Sequence, residues 1–158
     1  MAKALVFILP WRTWRMGDKL KCILLIDDDE PTNFLNKLIL EEMNCAEQIQ
    51  ITKSGREAIN FLTADYHEKN NKDLLMPDLV FLDINMPAMD GWEFLDLFTV
   101  INTARKRKVV IIMLTTSLNP DDETRSKTLA QVSGYKRKPL SREMVEEILD
   151  QYFSASIK

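Results

Sequence analysis

Three short runs in this chain are apolar without interruption, and each stops abruptly at a polar residue. Cys22–Ile26 stops at Asp27-Asp28-Asp29, Leu79–Leu82 at Asp83, and Val109–Leu114 at Thr115. Unbroken hydrophobicity over so few residues suits a strand covered on both faces, and such strands belong to parallel sheets flanked by helices. Between the runs lie segments of helical character. Pro31 is placed for a first helical turn, where its missing N–H costs nothing. Phe34, Leu35, Leu38, Ile39 and Met43 follow at helical spacing and predict the inward face of that helix. Ser54 and Glu57 predict a capping box for a second helix, whose apolar face is Ala58, Ile59, Phe61 and Leu62. Asp90 and Glu93 predict another, ahead of Phe94, Leu95, Leu97, Phe98 and Ile101. Asn119-Pro120-Asp121-Asp122 opens a fourth helix by cap, proline and acidic first turn. Ser141 caps a fifth carrying Met144, Val145, Ile148, Leu149 and Tyr152. Weaker strand signals fall at Gln48–Thr52 and Gly134–Arg137. Five strands alternating with five helices predict a doubly wound α/β fold around a five-stranded parallel sheet.

The bulk properties narrow the class. A length of 158 residues suits one core. A net charge of −3 gives no general attraction to nucleic acid or to an anionic membrane, and Arg105–Lys108 reads as a solvated loop. Cys22 and Cys45 lack the spacing of a metal site or a disulfide framework and read as reduced thiols. The apolar stretch Ala4–Leu9 is too short for a signal peptide core or a membrane span. Residues 1–18 are therefore expected to be an N-terminal extension, disordered or non-native, ahead of a domain over 19–158 in a cytoplasmic protein. After Phe153 no room is expected for an output domain.

In an open parallel sheet, function collects beyond the carboxyl ends of the strands. The residues there are Asp27 and Asp28, Asp83, Thr115 and Thr116, and Lys138. Any one has an ordinary explanation: a helix cap, a turn residue, a strand-end hydroxyl, a surface lysine. Together they bring three carboxylates, hydroxyls and an amine to one edge. Clustered carboxylates resist ionising unless a cation lies among them, and Mg²⁺ suits such a set. A metal and a lysine around an aspartate would neutralise phosphoryl oxygens and leave a carboxylate as nucleophile.

Four segments in this order resemble the response-regulator receiver domain of two-component signalling. They are Ile23–Asp28, Pro77–Gly91, Ile111–Thr116 and Gly134–Pro139, and the likeness covers about Lys19 to Phe153. The resemblance implies a flavodoxin-like sheet in order 2-1-3-4-5. It implies that Asp83 accepts a phosphoryl group from a histidine kinase or phosphotransfer protein. Asp28, Asp83 and the backbone carbonyl of Asn85 would bind Mg²⁺ directly, and Asp27 through water. Lys138 would pair with Asp83, Thr115 would bond the phosphate, and Tyr135 would change rotamer as Thr115 moves. It also implies a cis peptide at Lys138–Pro139. Two departures stand out. Asp65–Met76 is longer than usual, in the manner of stand-alone regulators that partner phytochromes, and Thr116 replaces a smaller residue, narrowing access to the phosphate. The surface of the last two helices and Gly134–Arg137 is expected to mediate a homodimer or partner contacts, and the downstream protein is not named by the sequence.

Three rivals remain open. A haloacid-dehalogenase phosphatase would need a second aspartate where Asn85 stands. A flavodoxin-like nucleotide binder would need a glycine- or hydroxyl-rich loop where Asp27-Asp28-Asp29 stands. A phosphorylation-independent interaction module would have no use for the intact acidic set.

Overall fold

A computed structural model describes residues 18–64 and 76–154. The expected extension, apart from Asp18, and nearly all of the long Asp65–Met76 segment lie outside the described residues. Strands and helices alternate along the chain as β1 (Leu20–Ile26), α1 (Glu30–Met43), β2 (Ala46–Thr52), α2 (Gly55–Thr63) and β3 (Leu79–Asp83). They continue as α3 (Gly91–Arg105), β4 (Val110–Thr115), α4 (Pro120–Thr128), β5 (Gly134–Arg137) and α5 (Arg142–Phe153). The five strands form one sheet in the order β2-β1-β3-β4-β5, and every neighbouring pair is parallel.

Alternate residues of each central strand feed opposite layers, as the twofold repeat of a strand requires. Leu24, Ile26, Val80, Leu82, Ile111 and Met113 point to one layer, closed by Ala58 and Leu62 of α2 and by Trp92, Phe94 and Phe98 of α3. Ile23, Leu25, Leu79, Phe81, Ile112 and Leu114 point to the other, closed by Leu40 of α1 and by Val145, Ile148 and Leu149 of α5. Burial on both faces is why these strands read as unbroken apolar runs.

The predicted caps form, with one difference. Asp90 and Glu93 make a complete capping box. Ser54 accepts from the Glu57 N–H at 3.0 Å, but the Glu57 carboxylate receives the N–H of Lys53 rather than that of Ser54. Asp29, Asn119 and Ser141 cap α1, α4 and α5. Cys22 and Cys45 are buried free thiols. The Lys138–Pro139 peptide is cis.

Helix α1 departs from expectation. Its buried residues are Asn33, Asn36 and Leu40, whereas Phe34, Leu35 and Leu38 are 66%, 55% and 41% exposed. Successive helical residues lie about 100° apart, so the stripe through 33, 36 and 40 and the stripe through 34, 35 and 38 lie on opposite faces, while Ile39 and Met43 of the predicted face pack against the core as expected. Hydrophobicity selects the second stripe. The first one faces inward, next to a turn from β1 that carries the Asp29 cap and an Asn33 side-chain bond to the Asp27 carbonyl. In α3, Leu97 is likewise exposed, at 44%, while Phe94, Leu95 and Phe98 carry the packing.

Buried Leu40 and exposed Leu38 should therefore respond differently to truncation. Leu40→Ala is expected to cost about 2–5 kcal/mol and Leu38→Ala less than about 1 kcal/mol, as read from urea unfolding midpoints. Equal losses would mean that α1 is rotated from the position described.

Candidate functional site

Register alone lines the site up. Ile26 lies opposite Leu82, so Asp27 and Asp83 leave the sheet side by side. Asp83 lies opposite Leu114, which puts Thr115 one step further on the next strand. Thr115 lies opposite Arg137, and the Lys138 N–H donates to the Thr115 carbonyl at 2.9 Å. Asp27, Asp83, Thr115 and Lys138 thus stand in a row across four adjacent strand ends. The row crosses the point where the strand order reverses, between β1 and β3. Doubly wound sheets open a crevice there.

Local contacts hold each member in place. The Asp27 carboxylate accepts the Asp29 N–H at 2.9 Å, and Asp29 accepts from the Thr32 N–H and hydroxyl. The Asn33 amide donates to the Asp27 carbonyl at 2.7 Å. On the other side, a Cβ at Gly91 would lie 2.6 Å from the Asp83 carbonyl oxygen and 3.0 Å from the Ile84 Cα. Only glycine lets α3 begin so close to β3, and its N–H donates to the Ile84 carbonyl at 2.8 Å. Thr115 is fully buried, and its hydroxyl accepts the Ser117 N–H at 2.9 Å. Thr116 is exposed at the rim. Tyr135 is half-buried against the α2–α3 layer. Burial and the Asp122 carboxylate of α4 raise its phenol, with Arg137 opposing.

One ammonium faces two carboxylates. Lys138 Nζ lies 2.5 Å from Asp27 Oδ2 and 3.3 Å from Asp83 Oδ1. The lysine therefore sits between both aspartates and closer to Asp27, where the sequence predicted a pair with Asp83 alone. Burial opposes its charge, but the hydrogen bond to Asp27 and the charges of Asp83 and Asp27 outweigh it, so its pKa is raised. Asp83 is pushed up to about 6, first by burial and then by the Asp27 charge, against Lys138 and the Asn85 backbone N–H, which donates to it.

Asp27, Asp28 and Asp83 each bring a carboxylate oxygen within 4.8 Å of the others, two from buried residues and one from an exposed one. An all-oxygen set with surplus negative charge and one side open to solvent fits a hard divalent ion such as Mg²⁺. Sequence reasoning missed Asn33 and Asn36. Their signal was two asparagines spaced three apart on α1, among Phe34, Leu35 and Leu38.

Residues 23–150 match the family model of the response regulator receiver domain. The chain belongs to this family. The receiver is similar to the crystal structure of a two-component response regulator from Cytophaga hutchinsonii, with a TM-score of 0.74 and 34% identity. The match covers 84% of this chain and 96% of that one. It is also similar to the bacteriophytochrome response regulator AtBRR, with a TM-score of 0.66 and 29% identity over 84% of this chain and 92% of that one. Among curated proteins it is 30% identical to a probable methanogenesis regulatory protein of Methanothrix harundinacea, over 82% of this chain and 79% of the relative. Receiver domains bind Mg²⁺ at an acidic aspartate cluster and interact with histidine kinases or phosphotransfer proteins. Among the described residues no helix is long and apolar enough to cross a membrane.

The raised Asp83 pKa sets a pH dependence. The folded receiver holds this proton up to about pH 6, whereas the unfolded chain releases it near the ordinary aspartate value of 3.8. Ionised Asp83 therefore costs stability above pH 6, and that cost disappears as pH falls below about 4. In EDTA at about pH 7.5, Asp83→Asn should be more stable than the native protein by on the order of 2 kcal/mol. The two should converge near pH 3.5. Urea titrations showing no advantage at pH 7.5 would rule out this electrostatic strain.

Proposed function

We propose that this receiver accepts a phosphoryl group on Asp83 from a histidine kinase or phosphotransfer protein. It then signals, as a stand-alone cytoplasmic regulator, by phosphorylation-controlled protein binding or by phosphorelay. The observation that carries this reading is the row of strand ends, in which a buried carboxylate of raised pKa is 3.3 Å from a lysine ammonium and next to a strand-end threonine.

In the transfer, an Asp83 carboxylate oxygen attacks phosphorus. The bond from phosphorus to the donor histidine nitrogen breaks, and its electron pair returns to the imidazole. Asp28, Asp83 and the Asn85 carbonyl would hold Mg²⁺, with Asp27 acting through water, and the ion would offset charge on the phosphoryl oxygens. Lys138, already poised between two carboxylates, turns to the phosphoryl group as Asp83 loses its full charge. Thr115 gives up its bond to the Ser117 N–H and donates its hydroxyl to a phosphoryl oxygen. Tyr135, packed beside α4, follows into the space that Thr115 leaves. Phosphorylation biases the fold only through groups that contact phosphate differently in the two states, and these three residues supply that difference.

Two surfaces suit the partners. The exposed stripe of Phe34, Leu35 and Leu38 lies on the helix that starts at the site, where a phosphodonor must approach. Helix α4, strand β5 and helix α5 form the face that Tyr135 adjoins, and this face serves the downstream protein or a second copy.

With acetyl phosphate and Mg²⁺, intact-mass measurement should show a phosphoryl adduct on the native protein and none on Asp83→Asn. An adduct at the native level in that variant would sink the assignment. Lys138→Ala should still bind Mg²⁺ but show no change in Trp92 fluorescence on adding beryllofluoride. A native-sized response would remove Lys138 from the switch.

A further inference from the structure

We propose that Asn33 is a positioning residue for the metal site, holding the β1–α1 turn so that Asp27 and Asp28 face Asp83. This inference rests on reading the carboxylate cluster as a Mg²⁺ site.

By packing logic Asn33 does not belong where it is. Asn33 is 3% exposed and Asn36 4%, both on the sheet-facing side of α1, while phenylalanine and leucines point to solvent. An amide is tolerated in such a place when both its ends are bonded. Asn33 has one end bonded: its Nδ2 donates to the Asp27 carbonyl at 2.7 Å, and its Oδ1 has no partner. Nor is there room for water to serve that oxygen. The gap beneath it, lined by Asp27, Asn36, Phe81, Asp83 and Leu114 among others, does not admit a water molecule. A leucine would fill the same volume and leave no orphaned acceptor. The amide therefore brings something that an apolar residue cannot, and the only group it bonds is the backbone of a site aspartate.

That bond acts on the right peptide. The Asp27 N–H is still tied to β2 through Thr52 at 3.2 Å, so this residue is the last one fixed by the sheet. Beyond it the chain must turn so that Asp28 swings out to the solvent side while Asp27 stays buried against Lys138. The Asn33 amide clamps the Asp27 carbonyl from within the first turns of α1, and the Asp27 carboxylate in turn receives the Asp29 N–H. Helix and turn are thereby locked in one orientation. Groups that orient metal ligands in this way govern affinity although they never touch the ion.

The test compares Asn33→Leu, Asn33→Ala and Asn36→Leu with the native chain, reading the Mg²⁺ dissociation constant by calorimetry and the melting temperature in EDTA. Asn36 lines the same gap but makes no hydrogen bond to the β1–α1 turn, so Asn36→Leu controls for loss of polarity alone. Both Asn33 variants should stay folded and bind Mg²⁺ at least about tenfold more weakly, in the range for lost outer-shell partners. Asn36→Leu should bind as the native chain does. Native affinity in a folded Asn33 variant would overturn the inference, as would an equal loss in Asn36→Leu. So would failure of both Asn33 variants to fold, which would make the residue structural. If the native chain itself binds no Mg²⁺, the reading of the cluster falls, and this inference falls with it.

Discussion

The ammonium of Lys138 lies between two buried carboxylates, and the arrangement of the whole carboxyl edge depends on that contact. Asp27 and Asp83 leave neighbouring parallel strands, so the sheet itself forces them together. Like charges taken out of water at such a separation are costly unless an opposite charge is shared between them. Lys138 supplies it from two strands away, reaching 2.5 Å from one and 3.3 Å from the other. Asp83 has its pKa pushed up to about 6, first by burial and then by the Asp27 charge, against Lys138. The site is thus held short of electrostatic satisfaction, and a divalent ion among these carboxylates would relieve it.

Most of the fold and the charged row were legible in the sequence because the same feature encodes both. A strand buried on both faces must be apolar throughout, and it must stop where solvent begins. The runs ending at Ile26, Leu82 and Leu114 therefore announced the strands and the site residues together. Strand β5 was legible for a different reason, through Gly134 and the Lys138-Pro139 pair that follow the family pattern. Caps at Asp29, Asp90, Asn119 and Ser141 were readable because a side chain short enough to bond its own backbone has few other uses at a helix start.

What was not legible depends on rotation about a helix axis. Phe34, Leu35 and Leu38 lie on the face of α1 opposite Asn33, Asn36 and Leu40, so an apolar face drawn through them together with Ile39 and Met43 straddled the solvent side and the sheet side. Hydrophobicity is the usual arbiter, and here it was right for Ile39 and Met43, which pack against the core, and wrong for Phe34, Leu35 and Leu38. The lysine's preference for Asp27 was hidden for a similar reason. A row of strand ends has an order that sequence supplies, but the reach of a flexible side chain along that row is decided by packing.

The reversed dressing of α1 also bears on anyone who would engineer this protein for robustness. Procedures that reward apolar interiors and charged exteriors would replace Asn33 and Asn36 with leucine, and Phe34, Leu35 and Leu38 with lysine or glutamate. Each change obeys the general preference for what lies inside and outside a globule. Taken together they would replace, on one helix, the Asn33 amide bonded to the Asp27 carbonyl and the exposed apolar residues Phe34, Leu35 and Leu38. On α1 the residues that look like errors of composition are the ones to leave alone.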